Sequence, residues 1–228
     1  MSSEDFGIGT LSERSLHASL KEWYRRPEDE LEVQVEGYVI DIVREGLLIE
    51  IQTRNFGALK DKLMALIPNH RIRLVHPVPR VRWVVREGLD GTEISRRKSP
   101  KTSNVLAVFE ELVSIPTILV HHNFELEVLE VFEEQVMQKD GKGSWKRKGW
   151  SVVDRRLIDV AERHLFTTPQ DLVGLLPPDL VVPFTSTELA MALGCTRRIA
   201  QKITYCLRKM KILRTRGKRN RAMLHVFQ

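Results

Sequence analysis

The stretch GYVIDIVREGLLIEIQT, residues 37–53, constrains the fold more than any other part of the chain. Two short runs rich in Ile and Val meet at Glu45-Gly46, a tight turn between two strands. Such a turn sets the register, so that Asp41 lies opposite Glu50 and Val39 opposite Gln52. One face then carries Ile40, Ile42, Ile49 and Ile51 and is wholly apolar, while the other carries Asp41, Val43, Leu48, Glu50 and Gln52. Acids set among valines and leucines suit a strand covered on both sides. Directly opposed carboxylates start about 5 Å apart, where like charges repel unless a proton or a cation lies between them. A divalent ion, Mg²⁺ or Mn²⁺, held by Asp41 and Glu50 with waters completing its oxygen shell, resolves that conflict. The simpler alternative is a solvated strand face on which both acids meet water.

Around the hairpin, Leu16, Leu20 and Trp23 recur at helical spacing within Leu11–Arg25, and Pro27 follows. Leu31–Glu36 alternates apolar and polar residues as a half-buried strand does. Thr53 or Asn55 can cap a helix over Phe56–Ile67, which Pro68 closes. Arg71–His76 is a further strand that stops at Pro77 and Pro79, and Trp83–Arg86 adds one more. Residues 1–90 therefore read as a small α/β domain. Residues 87–103 lose periodicity and read as a loop. Val105–Ser114 reads as a helix, Phe124–Val136 as a long strand, 138–148 as a polar tip and Val152–His164 as a helix. Residues 91–182 together read as a connector of mixed α/β structure, with Trp145 and Trp150 packed down on a sheet.

Gly-x-x-Ile-Asp, followed nine residues after the Asp by Glu-x-Gln-Thr in this order of elements, resembles the core of the PD-(D/E)xK nuclease superfamily over residues 11–86. The resemblance implies a restriction endonuclease-like α-β-β-β-α-β core and metal-dependent hydrolysis of phosphodiesters. Asp41 and Glu50 would hold the metal, and Gln52 stands where the superfamily usually has a lysine that positions or activates the attacking water. Glutamine has no charge with which to lower the pKa of a water, but it can orient one. Ile40 stands where a proline usually precedes the aspartate. Members also place a carboxylate on the first helix, and Glu13 and His17, one turn apart, are the candidates here. Lys60 and Lys62 on the second helix read as solvent-facing, with phosphate contact as the alternative.

The net charge of +6 is unevenly spread, because Thr196–Gln228 holds eleven Lys or Arg residues and no Asp or Glu. A one-sided block of this kind points to a polyanionic partner, nucleic acid above all. Thr185 or Ser186 can cap a helix through Leu193, Gly194 turns the chain, Thr196 caps a helix to about Lys211, and Leu213–Phe227 makes a two-stranded wing. Residues 183–228 thus resemble a winged helix-turn-helix. Beside an apolar stripe of Ile199, Ile203, Leu207 and Met210, the second helix presents Arg197, Arg198, Gln201, Lys202, Tyr205 and Arg208 to a DNA groove. Arg216, Lys218, Arg219 and Arg221 on the wing would grip the adjacent backbone.

Cys195 and Cys206 are the two cysteines and read as reduced thiols. No run approaches the roughly 20 apolar residues of a membrane span, and the N-terminus lacks the layout of a signal peptide, so a cytoplasmic protein without a membrane partner is expected. The combined expectation is an α/β metal-dependent DNA endonuclease delivered to DNA by a winged helix. Its rivals are a DNA-binding regulator with a decayed nuclease fold and a protein scaffold whose basic tail binds acidic partners. Cutting both strands of a duplex would favour a homodimer or a partner nuclease.

Overall fold

The computed structural model describes residues 8–142, 145 and 148–228, with side chains from Ser15 onward. The apolar spacing of the first segment produces a helix, α1 (Ile8–Tyr24), whose buried Leu16, Leu20 and Tyr24 lie on one side, while Trp23, expected in that stripe, is exposed. Strand β1 (Glu30–Val35) pairs antiparallel with β2 (Tyr38–Arg44). The turn from β2 to β3 (Leu47–Ile51) is the expected one: Glu45 and Gly46 both have positive φ, 47° and 77°.

The hairpin follows the predicted register through Arg44–Leu47, Val43–Leu48 and Ile42–Ile49, and there the backbone ladder ends. The carboxylate of Asp41 takes the next donor instead, accepting the Ile51 N–H at 2.9 Å. Glu32, across from Asp41 in β1, has φ of 54°. The alternation of faces breaks at the same level. Ile42, Ile49 and Ile51 pack with Leu16 and Leu20 of α1, whereas Ile40 packs with Leu48, Leu63 and Leu66 on the opposite side. The expected face of four isoleucines is therefore split, because a side chain has replaced a ladder bond.

A 3-10 turn, Phe56–Leu59, leads into α2 (Lys60–Leu66). Asn55 sits there but its side chain makes no cap. The Glu111 carboxylate does so from a distant segment, accepting from the Asn55 and Phe56 amides at 2.6 and 3.3 Å. Strand β4 runs unbroken from Arg71 to Glu87, through the prolines expected to end it. The geometry explains why. Ile72 donates toward β6 (Phe124–Gln138) and Val75 accepts from the β3 side, so by alternation Pro77 and Pro79 turn their nitrogens to the β3 side, past the last β3 pairing at Val75. No donor is lost where no strand is waiting.

Two further expectations are corrected. Within the stretch read as a loop, Glu93–Lys98 forms β5, antiparallel to β4, and all six of its residues are exposed. Val152–His164 is not helical: it lies in β7 (Ser151–Phe166), antiparallel to β6. Three register shifts in that pairing leave Val153, Ile158 and Ala161 unpaired, which destroys the period of two. One sheet results, in the order β1-β2-β3-β4-β6-β7 with β5 also on β4, so the presumed connector supplies three strands of the same sheet as residues 1–90. The protein is mixed α/β, with a large mixed sheet in which β3–β4 and β4–β6 are parallel.

One helical turn, α3 (Phe109–Leu112), packs on the α2 side of the sheet. After β7 come α4 (Pro169–Val173), α5 (Ser186–Leu193) and α6 (Arg197–Lys209). Of the two candidate caps, Thr185 takes α5 and adds a reciprocal Glu188 bond; as expected, Gly194 closes the helix at φ of 61° and Thr196 caps α6. Strands β8 (Leu213–Arg219) and β9 (Ala222–Phe227) form a separate hairpin. The larger apolar core is continuous from Leu48 and Leu63 through Phe109 and Leu112 to Leu189, Ile203, Leu207 and Leu213. The C-terminal helices thus share the interior of the sheet. Among the described residues no helix is long and apolar enough to cross a membrane.

Candidate active site

Where the β2–β3 ladder opens, His17, Lys21, Glu32, Asp41, Gln52 and Arg54 line a cleft of about 540 Å³. Asp41 hangs from β2 toward α1, where His17 Nε2 lies 3.0 Å from its carboxylate. Burial pushes the Asp41 carboxyl up, but the His17 hydrogen bond and charge, together with the Ile51 N–H, outweigh it and leave its pKa lowered. The same bond to Asp41 outweighs burial at His17 and raises the imidazole above its ordinary 6.5.

Glu50, one strand over, turns toward α2. Lys62 donates to its Oε2 at 2.7 Å and to the Val39 carbonyl at 2.6 Å. Burial, then the charge of Asp41, hold the Glu50 carboxyl above its usual range against the pull of Lys62. The two acids are therefore electrostatically joined although they do not form a ladder pair. Each leans on its own cation, His17 or Lys62, and a divalent ion is the group that would relieve both acids at once. Buried Glu50 and half-buried Asp41 both offer the hard oxygens that Mg²⁺ or Mn²⁺ would take.

Gln52 lines the same cleft at the end of β3, with its amide 3.4 Å from the Asn55 carbonyl. Its own carbonyl accepts from His76 Nδ1 at 2.7 Å, and His76 stacks edge-on against Phe56 behind the site. Burial lowers the pKa of His76, which stays a neutral prop. Lys62 is the residue that sequence reasoning placed wrongly. Its side chain is only 14% exposed and faces Glu50 rather than solvent. A signal existed: Leu59, Lys62, Leu63 and Leu66 share the i, i+3, i+4, i+7 spacing of one helix face, and a lysine in that stripe must find a buried acid. The side chain of Glu13 lies outside the described residues.

The basic residues of the C-terminal region divide. Arg197, Gln201, Tyr205, Arg208 and Arg221 border one groove between α5, α6 and β9. Lys202 does not face outward with them: its ammonium is paired with Glu110 of α3, and Arg198 reaches the same carboxylate at 3.3 Å. Arg219 is paired with Glu188 of α5, while Arg216 and Lys218 are exposed on the β8–β9 hairpin. Trp145 is 84% exposed rather than packed on the sheet, and Trp150 lies under Arg86 at 4.8 Å. A further group, Glu130, Glu162 and His164, brings ligand-type atoms within 4.8 Å. Arg80 already approaches both of its carboxylates, at 3.7 and 3.4 Å.

Fold and cleft define a mixed α/β protein whose central hairpin presents two charge-coupled acids at a broken ladder, followed by a basic helical region. Residues 14–167 match a family described as a domain of unknown function, DUF8091, and the chain belongs to that family. The match covers the cleft residues from His17 to Arg54 and the strands of the large sheet through β7. A protein of Treponema pallidum (strain Nichols), described as an uncharacterized protein, is 30% identical over 220 residues, which is 96% of this chain and 86% of the relative. No solved structure matches.

Proposed function

We propose that the protein is a metal-dependent DNA endonuclease with a restriction endonuclease-like core, and that residues 183–228 are a winged helix that brings it to DNA. The observation that carries this reading is the charge coupling of half-buried Asp41 with buried Glu50, each paired with its own cation, at the edge of an open cleft that Asp41 lines. Asp41 and Glu50 would hold Mg²⁺ or Mn²⁺, which when bound supplies Lewis-acid polarisation of the phosphate and a competent nucleophile near neutral pH. His17 keeps Asp41 oriented and ionised. Lys62 puts at Glu50 the positive charge that Gln52 lacks. Gln52 contributes an amide that can orient a water. On the cleft wall Lys21 is paired with Glu32 at 2.6 Å, and Arg54 adds a second cation there.

For the C-terminal region, the helix, glycine turn, second helix and hairpin follow the order of a winged helix, and Phe184 bridges His225 as a third short strand would. Arg197, Gln201, Arg216 and Lys218 are its exposed donors. The test is Mn²⁺-dependent cleavage of supercoiled DNA by wild type, Asp41→Asn and Glu50→Gln. Both variants are expected to lose cleavage while keeping the far-UV circular dichroism of the wild type. Cleavage that survives in both variants overturns the site, and DNA retention without cleavage in the wild type favours a regulator.

A further inference from the structure

Two side chains that line the groove between α5, α6 and β9 carry a polar atom without a partner among the described residues. His225 is 2% exposed, and its Nδ1 makes no hydrogen bond. The Nε of Arg208 is also sealed from solvent and unpaired. Unsatisfied buried polar atoms are rare and costly, and both belong to side chains that line the same groove, Arg208 with no carboxylate paired to its guanidinium among the described residues. The surroundings specify its charge. Arg197 and Arg221 stand on the rim, no Asp or Glu among the described residues lines the groove, and the first residues of α5, Ser186 and Thr187, add amides that have no partner within the helix. Inside, Ser186 and Thr204 contribute hydroxyls 3.2 Å apart. Every one of these features favours an oxyanion with several acceptor oxygens.

We propose that this groove is a phosphate pocket that takes the terminal phosphate monoester of a nucleic-acid strand. The volume, about 370 Å³, is ample for one such group. A phosphodiester inside a continuous strand is tethered on both sides and passes across a groove mouth. A terminal monoester carries three free oxygens and a charge of about −1.5 to −2, and can enter far enough to meet the Arg208 guanidinium, behind which His225 lies. The source of the phosphate rests on the DNA reading above; the chemistry of the pocket does not. A nuclease tethered to a strand end through this pocket would cut at a set reach from that end.

The experiment uses the full chain and measures, by fluorescence anisotropy at matched ionic strength, binding of three blunt duplexes phosphorylated at the 5′ ends, at the 3′ ends or at neither. Wild type and Arg208→Gln are compared, and thermal midpoints with and without inorganic phosphate are recorded for each. One phosphorylated duplex is expected to bind about tenfold tighter than the bare one, the worth of one charge-assisted hydrogen bond. The preference should vanish in Arg208→Gln and under excess inorganic phosphate, which should also raise the midpoint of the wild type alone. Equal binding of all three duplexes overturns the proposal and leaves the DNA reading standing. A midpoint that rises with phosphate while no duplex binds overturns the strand-end assignment and the DNA reading together. His225→Phe keeps the test decisive if Arg208→Gln unfolds, because it should weaken the same preference.

Discussion

Replacing Lys62 by Gln leaves Glu50 buried beside Asp41 with its counter-cation gone. Single-turnover cleavage is then expected to fall by about 10²–10³-fold, the usual cost of removing one positioned electrostatic group. Gln52→Ala, which removes an uncharged amide, should cost less; a larger loss at Gln52 than at Lys62 would reverse their assigned roles. A second pair gives a pH test away from the cleft. Arg44 grips the buried Asp29 through two bonds of 2.7 and 2.8 Å, and also donates to the Tyr24 carbonyl, tying the β1 entry to the end of α1. The Arg44 hydrogen bonds hold the Asp29 carboxyl below its ordinary 3.8. A lowered carboxylate pKa gives stability that is present above the unfolded value and lost as pH falls through the folded one. Asp29→Asn should therefore cost about 1 kcal/mol in urea unfolding at neutral pH, and the difference from wild type should shrink below about pH 4.

At the scale of elements, β4 tests whether prolines can sit inside a sheet when their nitrogens face an open side. Pro77→Ala removes no ladder bond and is expected to change stability by about 1 kcal/mol or less, through the freedom of the unfolded chain. Val78→Pro, one residue on, deletes a donor aimed at β6 from a buried position and should cost about 3 kcal/mol or more. Thermal melts of the two variants separate these outcomes, and equal effects would refute the alternation argument. The same element shows why local patterns misled. Proline normally ends a strand, and only the lengths of β3 and β5 leave a gap where two prolines fit. In β5 no residue is buried, so no apolar alternation could announce a strand held by its backbone pairing with β4. In β7, Val153, Ile158 and Ala161 each shift the phase, and the apolar residues between them fall at helix-like intervals.

For the whole molecule, the shared core predicts one cooperative unit rather than a catalytic domain trailing a free DNA-binding module. Phe109 and Leu112 belong to the same buried cluster as Ile203 and Leu207, and Lys202 clasps Glu110 beside them. Cys206 is fully buried and its thiol is pushed up to about 12, so it should react with iodoacetamide only when α6 leaves the core. Urea titrations followed by Cys206 alkylation and by far-UV circular dichroism should therefore coincide. Phe109→Ala, under both regions, should lower that common transition by about 3–5 kcal/mol. Two separated transitions would mean that the helices fold apart from the sheet.

The sequence by itself determined what is local. The hairpin turn at Glu45-Gly46, the caps at Thr185 and Thr196, the Leu16 and Leu20 spacing of α1 and the final two helices depend on neighbouring residues, and all were legible. The tertiary structure alone decided what depends on distant partners. It joined both sides of residue 90 into one sheet, capped the entry to α2 with Glu111, and turned Lys62 onto Glu50 and Lys202 onto Glu110. A buried charge takes the nearest opposite charge that folding delivers, and nothing in the spacing of its own segment names that partner.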